Sequence, residues 1–319
     1  VWGTHLVRTG ILRVFGANLR QLIARGVRTQ LLAVFSGVGV TAVVQSSTAT
    51  ALIVSAFVGQ GMISLTAALT VMLGADVGSA LMAVVFSLDL SWLSPLCIFV
   101  GVVLYVARQD GKAGRVGRVL IGLGLMLLAL RLITESTLVL TQSEVVRTLL
   151  MALTSDITLE VMTGAILAII SYSSLATVLL VATLAGSGGI PTEVALGLVV
   201  GANLGSGLLA VLTTMRSSIQ TRQVPLGNLL FRMVAATVMI PVIGLWHTHI
   251  QTLIPDKVSQ VVLFHLAFNI MGTLLCLPIT GLVATAVGKI LRQEEQPASL
   301  SRPHHLDASA LSTPSLAIS

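Results

Sequence analysis

The sequence predicts an all-α membrane protein made of two related halves, each with an interrupted helical hairpin and transmembrane helices. Its 319 residues are 55% hydrophobic and only 9% charged, with a mean hydropathy of +0.98. An ordinary soluble domain has about 25% charged residues, whereas most of the outer surface of a membrane protein faces lipid. The composition therefore indicates a bilayer environment, and two interrupted apolar runs and an internal repeat indicate the arrangement of the chain.

A helix needs roughly 20 apolar residues to span a bilayer. The continuous candidate spans are, in chain order, residues 64–86, 91–107, 119–134, 191–215, 224–245 and 258–287, after a partial, arginine-containing helix at 1–24. Two further apolar runs, 31–59 and 161–187, are interrupted at Gln45-Ser46-Ser47-Thr48 and at Tyr172-Ser173-Ser174. We expect each interrupted run to enter and leave the membrane on the same side, as a re-entrant hairpin.

The two interrupted runs belong to an internal repeat with an offset of 127 positions. Between residues 45 and 84, 18 of 40 positions carry the same residue as the position 127 further on, without a gap. The two Ser-Ser pairs coincide, and so do the Gly-Ala-x-x-Gly-Ser blocks at 74–79 and 201–206. Shared membrane composition does not align such blocks in one register, so the pattern indicates a duplication. We expect the block glycines Gly74, Gly78, Gly201 and Gly205 to allow close helix packing.

Basic residues predict the orientation of the two halves. Lys and Arg cluster before the first interrupted run, in the loops near 108–118 and 216–222, and after the last span. The positive-inside rule places these four regions in the cytoplasm. The halves then have opposite topology, and a multi-pass protein of the plasma membrane with a cytoplasmic C-terminus is expected. Topological charge also accounts for the net charge of +6, so nucleic-acid binding is not expected.

Interrupted helices at corresponding positions of inverted repeats are a common plan of secondary transporters. Unpaired backbone groups at membrane depth are costly unless protein or ligand satisfies them. Two such breaks can meet near the midplane, where helix N-termini favour an anion and free carbonyls and hydroxyls favour a small cation. The sequence has no Walker loop and no evident nucleophile–base pair, so it predicts neither an enzyme nor a bound cofactor.

Candidate ligand residues surround the duplicated breaks. For the pairs Ser46-Ser47 and Ser173-Ser174 we favour a ligand role over bonding to their own helix carbonyls, which is common for Ser in membrane helices. Gln45 is assigned a ligand role on the same ground. Asp76 has two interpretations, a functional intramembrane carboxylate or a group near the lipid headgroups. Asn203, its counterpart, is either an ion ligand or a packing residue.

Other polar residues in the apolar runs receive simpler interpretations. Arg131 and Arg232 are expected to extend their charged ends to the membrane interface. The alternative is a phosphate-binding arginine, which we disfavour because neither residue aligns with the repeated motifs. His265 and Asn269 are separated by one helical turn and predict a polar stripe on one buried face.

The motifs resemble those of a known family. Gln45-Ser46-Ser47-Thr48-Ala49 resembles the QSSSA motif of the sodium-dependent phosphate cotransporter family, and the blocks at 74–79 and 201–206 resemble its GANIGT motif. Phe264-His265-x-x-Phe268-Asn269 and Gly122-Leu123-Gly124-Leu125 resemble further family patterns. The resemblance implies transmembrane repeats at 1–118 and 119–290, and a cytoplasmic linker at 291–319 leading towards the PhoU-like domain that bacterial members often carry.

The resemblance also implies symport of inorganic phosphate with sodium, by alternating access at a midplane site between the two motifs. The implied phosphate and ion ligands are Gln45, Ser46, Ser47, Thr48, Thr50, Asp76, Tyr172, Ser173, Ser174, Thr177 and Asn203. Among them, Ser47, Thr50, Ser174 and Thr177 are candidates for sodium. The implied partners are phosphate, sodium and the bilayer, and the sequence is compatible with a homo-oligomer.

Three residues depart from the family pattern. Tyr172 stands in place of Gln and Leu175 in place of Ser, which weakens the second half of the site. Asp76 stands in place of Asn, and its carboxylate would either bind a cation or repel phosphate. These departures leave two alternatives open, a phosphate-binding membrane sensor or regulatory protein, and a carrier of another small anion.

Overall fold

The computed structural model of the protein describes residues 29–88, 92–107, 111–140 and 156–291, and every regular element in these ranges is helical. In chain order the α-helices are α1 (Gln30–Val44), α2 (Ser47–Gly59), α3 (Leu65–Ser87), α4 (Leu93–Ala107), α5 (Lys112–Leu140), α6 (Ile157–Ser171), α7 (Ser174–Gly186), α8 (Thr192–Thr214), α9 (Ile219–Met239), α10 (Ile243–Leu253), α11 (Lys257–Cys276) and α12 (Thr280–Ile290). A short 3₁₀ helix, Leu277–Ile279, joins the last two. The expected helix at 1–24 and the linker after residue 291 lie outside the described residues.

Among the described residues, three helical segments are long and apolar enough to cross a membrane: Leu65–Ser87, Thr192–Thr214 and Lys257–Ile290. They match three of the predicted spans. The predicted span 91–107 forms α4, which with 15 residues is one of the shorter apolar helices. The predicted span 119–134 lies within the longer helix α5. The prediction of an apolar, all-helical membrane protein is thereby confirmed.

The prediction of one continuous span at 224–245 is wrong. Helices α9 and α10 meet there at an angle of 72°. Pro241 stands at the bend and has no N–H to donate to the preceding turn, so the helix cannot run straight through this point. In contrast, Pro225 lies in the second turn of α9 and the helix continues past it.

The internal repeat is visible in the helix boundaries. Helices α1, α2 and α3 begin and end 127 positions before α6, α7 and α8, respectively. The turns between the second and third helix of each set also agree, since Gly61 (φ 68°) and Gly188 (φ 76°) both adopt the left-handed conformation. Glycine adopts this conformation without a steric penalty. The duplication predicted from the sequence is therefore also a duplication of structure.

Glycines bring the first and third helix of each set into direct backbone contact. A Cβ on Gly74 of α3 would lie 1.9 Å from the carbonyl oxygen of Val34, and one on Gly201 of α8 would lie 2.1 Å from that of Val161. Val161 is the repeat counterpart of Val34. Gly78 and Gly205 make similarly close approaches to α1 and α6. This confirms the predicted packing role of the block glycines.

The centre of the protein is formed by α3 and α8. The most apolar stretches of these two helices are 72% and 83% buried, respectively. Helix α11 contacts both of them. Helix α9 belongs to the second half of the chain, yet it contacts α2 and α3 of the first half as well as α8 and α11. A side chain on the inner face of α9 can therefore reach residues of both halves.

Candidate functional site

The two helix breaks have the same unusual backbone conformation. Gln45 (φ 57°) and Tyr172 (φ 53°) are the non-glycine residues with positive φ in the described ranges. Such residues are uncommon, and sparsely populated backbone conformations concentrate at functional sites. Each ends one helix, and the serine after it caps the next, because Ser46 Oγ accepts from Ala49 N–H at 3.2 Å and Ser173 Oγ from Ala176 N–H at 3.1 Å. Both breaks thus lead directly into a helix N-terminus.

The two serine motifs meet at one small, partly open cavity, which we call the motif cavity. It is lined by Gln45, Ser46, Ser47, Thr48, Ser79, Ser173, Ser174 and Leu175. Apart from Ser79 of α3, these residues belong to the two helix breaks and the first turns of α2 and α7. Two helix N-termini therefore border the same space, and their free N–H groups and dipoles favour an anion.

Gln45 contributes an unpaired acceptor at this cavity. Its Oε1 is buried and accepts no hydrogen bond from the residues that the structure describes. Most buried side-chain polar atoms in proteins have a hydrogen-bond partner. A free amide oxygen beside the hydroxyls of Ser47 and Ser174 is suited to a ligand with both donor and acceptor groups, or to a cation. Leu175, in contrast, gives the second half an apolar wall where Thr48 gives the first half a hydroxyl.

Five of the predicted ligands do not line the motif cavity: Tyr172, Thr50 and Thr177, and also Asp76 and Asn203, which are described below. Tyr172 is 66% exposed. Thr50 Oγ1 donates to Ser46 O at 3.1 Å, and Thr177 Oγ1 donates to Ser173 O at 2.9 Å. These two buried hydroxyls donate to the carbonyl four residues earlier in the chain, as threonines in helices commonly do. They stabilise the turns that carry the serine motifs.

A buried ion pair between the two halves lies beside the motif cavity. Arg232 of α9 and Asp76 of α3 are only 4% and 5% exposed. Arg232 Nε donates to Asp76 Oδ2 at 3.1 Å, and Arg232 Nη2 donates to Asp76 Oδ1. The expectation that Arg232 extends to the interface is therefore wrong, because a carboxylate within the protein compensates its charge. Burial of Asp76 favours the interpretation of this residue as a functional intramembrane carboxylate.

The guanidinium of Arg232 also contacts the repeated motifs of both halves. Its Nη1 donates to Asn203 O at 2.5 Å and to Ser206 Oγ. Its Nη2 donates to Ser47 Oγ at 3.3 Å. One side chain thus connects the first serine motif with the glycine blocks of both repeats.

The side chain of Asn203 faces a polar cluster on α11. Its Nδ2 lies 3.1 Å from His265 Nδ1 and donates to Val199 O at 2.9 Å. Asn269 Nδ2 lies 3.2 Å from the same His265 nitrogen. His265 and Asn269 are buried, which confirms the predicted polar stripe on one helix face. The contacts of Asn203 join α8 to α11.

The structure thus places Gln45, Ser46, Ser47, Thr48, Ser173 and Ser174 around one cavity, with Asp76 and Asn203 connected to it through Arg232. Three further polar residues at this place were not predicted: Ser79, Ser206 and Arg232. Ser79 and Ser206 occupy equivalent positions at the ends of the repeated blocks, and this repetition could have identified them as candidates. For Arg232 the signal was a charge inside an apolar run, which by default indicates function.

Comparison with known proteins agrees with this assignment of motifs. Residues 1–135 match the family described as Na⁺/Pi-cotransporter. Proteins of Escherichia coli strain K12 and Salmonella typhimurium, each named as the candidate inorganic phosphate export protein YjbB, are 49% identical over 318 residues. These matches cover 100% of the chain but 59% of each relative, so the chain spans little more than half of the relatives' length.

A more distant relative is the uncharacterised protein YqeW of Bacillus subtilis, 22% identical over 283 residues, which are 88% of this chain and 91% of that protein. No solved structure is significantly similar to the chain. The match over residues 1–135 includes the first serine motif and the first glycine block, and with the 49% identical relatives it confirms the resemblance to the Na⁺/Pi-cotransporter family that the sequence motifs predicted.

Proposed function

We propose that the chain is the membrane part of a carrier for inorganic phosphate that is coupled to sodium and binds phosphate in the motif cavity. The observation that carries this proposal is the meeting of the two serine motifs at one cavity. The family match and the phosphate-export name of the enterobacterial relatives support the choice of substrate. No enzymatic step is proposed.

The chemistry of the cavity suits a phosphate ion. Phosphate offers several oxygen acceptors, and the wall offers serine hydroxyls and two helix N-termini as donors. Ser47 and Ser174 are the first residues of α2 and α7. Their hydroxyls and the free N–H groups of these helix N-termini are all donors that suit an anion. The amide of Gln45 adds a donor, and its unpaired oxygen adds an acceptor for a protonated phosphate oxygen or for sodium.

Sodium coupling is proposed from the family resemblance together with the oxygen-rich wall of the cavity. Hydroxyls and carbonyls at helix breaks coordinate sodium in other secondary transporters. Ser47 and Ser174, which line the cavity, would take this role, whereas Thr50 and Thr177 would act through the turns that they stabilise. A symporter runs in the direction that its combined ion gradients dictate, so uptake and efflux would use the same site.

Alternating access would follow from the opposite orientation of the two halves. In this proposal the first hairpin enters from the cytoplasm and the second from outside, and the C-terminus is cytoplasmic. Gln60 and Ser187 are repeat counterparts just after α2 and α7. Gln60→Cys and Ser187→Cys, each made after replacing the buried Cys97 and Cys276, should react with an impermeant thiol reagent from opposite sides. Labelling from the same side would overturn the inverted arrangement.

Flux is tested with the full-length protein in sealed proteoliposomes and radiolabelled phosphate, with a sodium gradient or choline in its place. We expect sodium-dependent flux that is lost in Ser47→Ala and in Ser174→Ala. The matched control is Ser55→Ala. Ser55 lies on α2, is fully buried and has no hydrogen-bond partner for Oγ among the described residues, and its repeat counterpart is already Ala182. This variant should keep normal flux.

The same assay separates the carrier from its alternatives. Folded protein that binds phosphate but moves none in either direction would favour a membrane sensor, with Leu175 as the first position to examine. Flux that sulfate or another small anion abolishes at equal concentration would favour a carrier of that anion.

A further inference from the structure

The buried ion pair of Asp76 and Arg232 stands between two cavities. One is the motif cavity, which the pair reaches through Ser47, since Arg232 Nη2 lies 3.3 Å from Ser47 Oγ. The other is a small, partly open cavity, which we call the carboxylate cavity. Its wall includes both members of the pair together with Asn269 and Thr273. The pair borders the carboxylate cavity directly, whereas the side chain of Ser47 separates it from the motif cavity.

On the motif side, Arg232 offers a charged donor to an anion. Its contact with Ser47 is its longest hydrogen bond, at 3.3 Å, whereas its other contacts are 3.1 Å or shorter. The Ser47 contact is therefore the weakest and the first to exchange for a ligand. A guanidinium binds phosphate oxygens with strong, often bidentate hydrogen bonds.

On the other side, three residues of the carboxylate cavity carry the oxygen types that a hard cation prefers, while the rest of its wall, apart from Arg232, is apolar. Asp76 supplies a carboxylate, Asn269 an amide and Thr273 a hydroxyl. Hard cations are bound by carboxylates, amide carbonyls and similar oxygens. The carboxylate of Asp76 would supply the negative charge for a sodium ion if Arg232 were no longer paired with it.

We propose that the Asp76–Arg232 pair couples the binding of the two ions by exchange of partners. Phosphate binds to Arg232 from the motif side in place of Asp76, while sodium binds to Asp76 from the carboxylate cavity in place of Arg232. This inference rests on the proposed function. In the empty protein each charge neutralises the other. Removing one partner of a buried ion pair leaves an uncompensated buried charge, which is strongly unfavourable. Each ion therefore binds better when the other has bound.

Such coupling is reciprocal by thermodynamic necessity. Sodium should raise the affinity for phosphate by the same factor by which phosphate raises the affinity for sodium. Typical couplings between two sites correspond to about 5-fold to 150-fold in affinity. This range sets the size of effect that the experiment must resolve.

The experiment measures equilibrium binding of radiolabelled phosphate to the purified full-length protein, in sodium and in choline. In the unsubstituted protein, sodium should raise phosphate affinity by a factor within that range. Asp76→Asn gives repeat one the residue that repeat two has at Asn203. Because this substitution leaves Arg232 without its carboxylate, folding of the variant is first checked by its thermal stability. The folded variant should bind phosphate with or without sodium, with less than about a twofold difference. Ser55→Ala should keep the full sodium effect.

Arg232→Gln alone would leave Asp76 unpaired and is at risk of misfolding, so the test uses Arg232→Gln combined with Asp76→Asn. This neutral double variant should fold, and its affinity for phosphate should be lower by about tenfold or more. Folding is checked by the thermal stability of the purified variant.

The outcomes separate this inference from the proposed function. Normal sodium dependence in Asp76→Asn, with flux still abolished by Ser47→Ala, would overturn the exchange while the carrier stands. Wild-type phosphate affinity in the folded neutral double variant would overturn the role of Arg232. Absence of phosphate binding by the folded unsubstituted protein would overturn the proposed function, and the exchange with it.

Discussion

Replacing Gly74 by alanine tests the close packing of α1 against α3. The added Cβ would lie 1.9 Å from Val34 O, whereas ordinary van der Waals contact begins at 3.4 Å, so the two helices must separate by about 1.5 Å along this line. The neighbouring atom is a backbone carbonyl that cannot rotate away. Overpacking of this kind costs typically about 1–3 kcal/mol. The better helix propensity of alanine, about 1 kcal/mol, offsets only part of this cost.

The assay is thermal unfolding of the purified protein in detergent, followed with a fluorogenic thiol reagent. Cys97 and Cys276 are free and buried, so they become reactive as the protein unfolds. Gly74→Ala should lower Tm by several degrees, and Gly201→Ala should do the same, because its Cβ would lie 2.1 Å from the equivalent carbonyl. The control is Gly281→Ala, since no atom lies within 4 Å of that Cβ position. An unchanged Tm in all three variants would refute the steric argument.

Three further predictions use the same unfolding assay. Arg232→Gln leaves the Asp76 carboxylate unpaired and should cost about 3–5 kcal/mol, whereas Arg232→Gln with Asp76→Asn should recover most of the loss; equal losses would argue against the ion pair. Ser46→Ala and Ser173→Ala each remove an N-cap acceptor and should cost about 1 kcal/mol, and a loss in only one would contradict the equivalence of the two caps. A backbone N–H that donates to Asp156 at 2.8 Å holds the pKa of this carboxyl below its usual value of 3.8. The cap's contribution is therefore complete above that value and is lost as the pH falls through the lower folded-state pKa. Asp156→Asn should reduce the fall in Tm that the unsubstituted protein shows as the pH is lowered. An unchanged fall would show that other groups cause it.

The repeat could be predicted from the sequence because duplication preserves residues that the backbone demands. Ser46 and Ser173 cap helices, and Gly74 and Gly201 occupy places where no Cβ fits. These requirements act locally or between neighbouring helices of one half. They leave the same residue types at the same spacing, and the offset of 127 could be read without coordinates.

The place of Arg232 could not be predicted in the same way. It has no counterpart within the repeated motifs, and an arginine in an apolar run is compatible with either an interface or an interior position. Which position Arg232 takes depends on two features of the tertiary structure. Helix α9 contacts the first half, and Asp76 lies on α3 within hydrogen-bond distance of Arg232. Pro241 could have indicated the bend between α9 and α10. The prediction of one continuous span followed from the hydropathy of the segment alone.

The sequence by itself determined the all-helical membrane class, the duplication, the two helix breaks and the family resemblance. These follow from composition, periodicity and backbone requirements, which act over short distances along the chain. Only the tertiary structure decided that the two serine motifs share one cavity, that Tyr172 stays outside it, and that Arg232 neutralises Asp76 between the halves. Those facts depend on which helix faces meet, because burial of a charge is favourable only where packing brings its partner within hydrogen-bond distance.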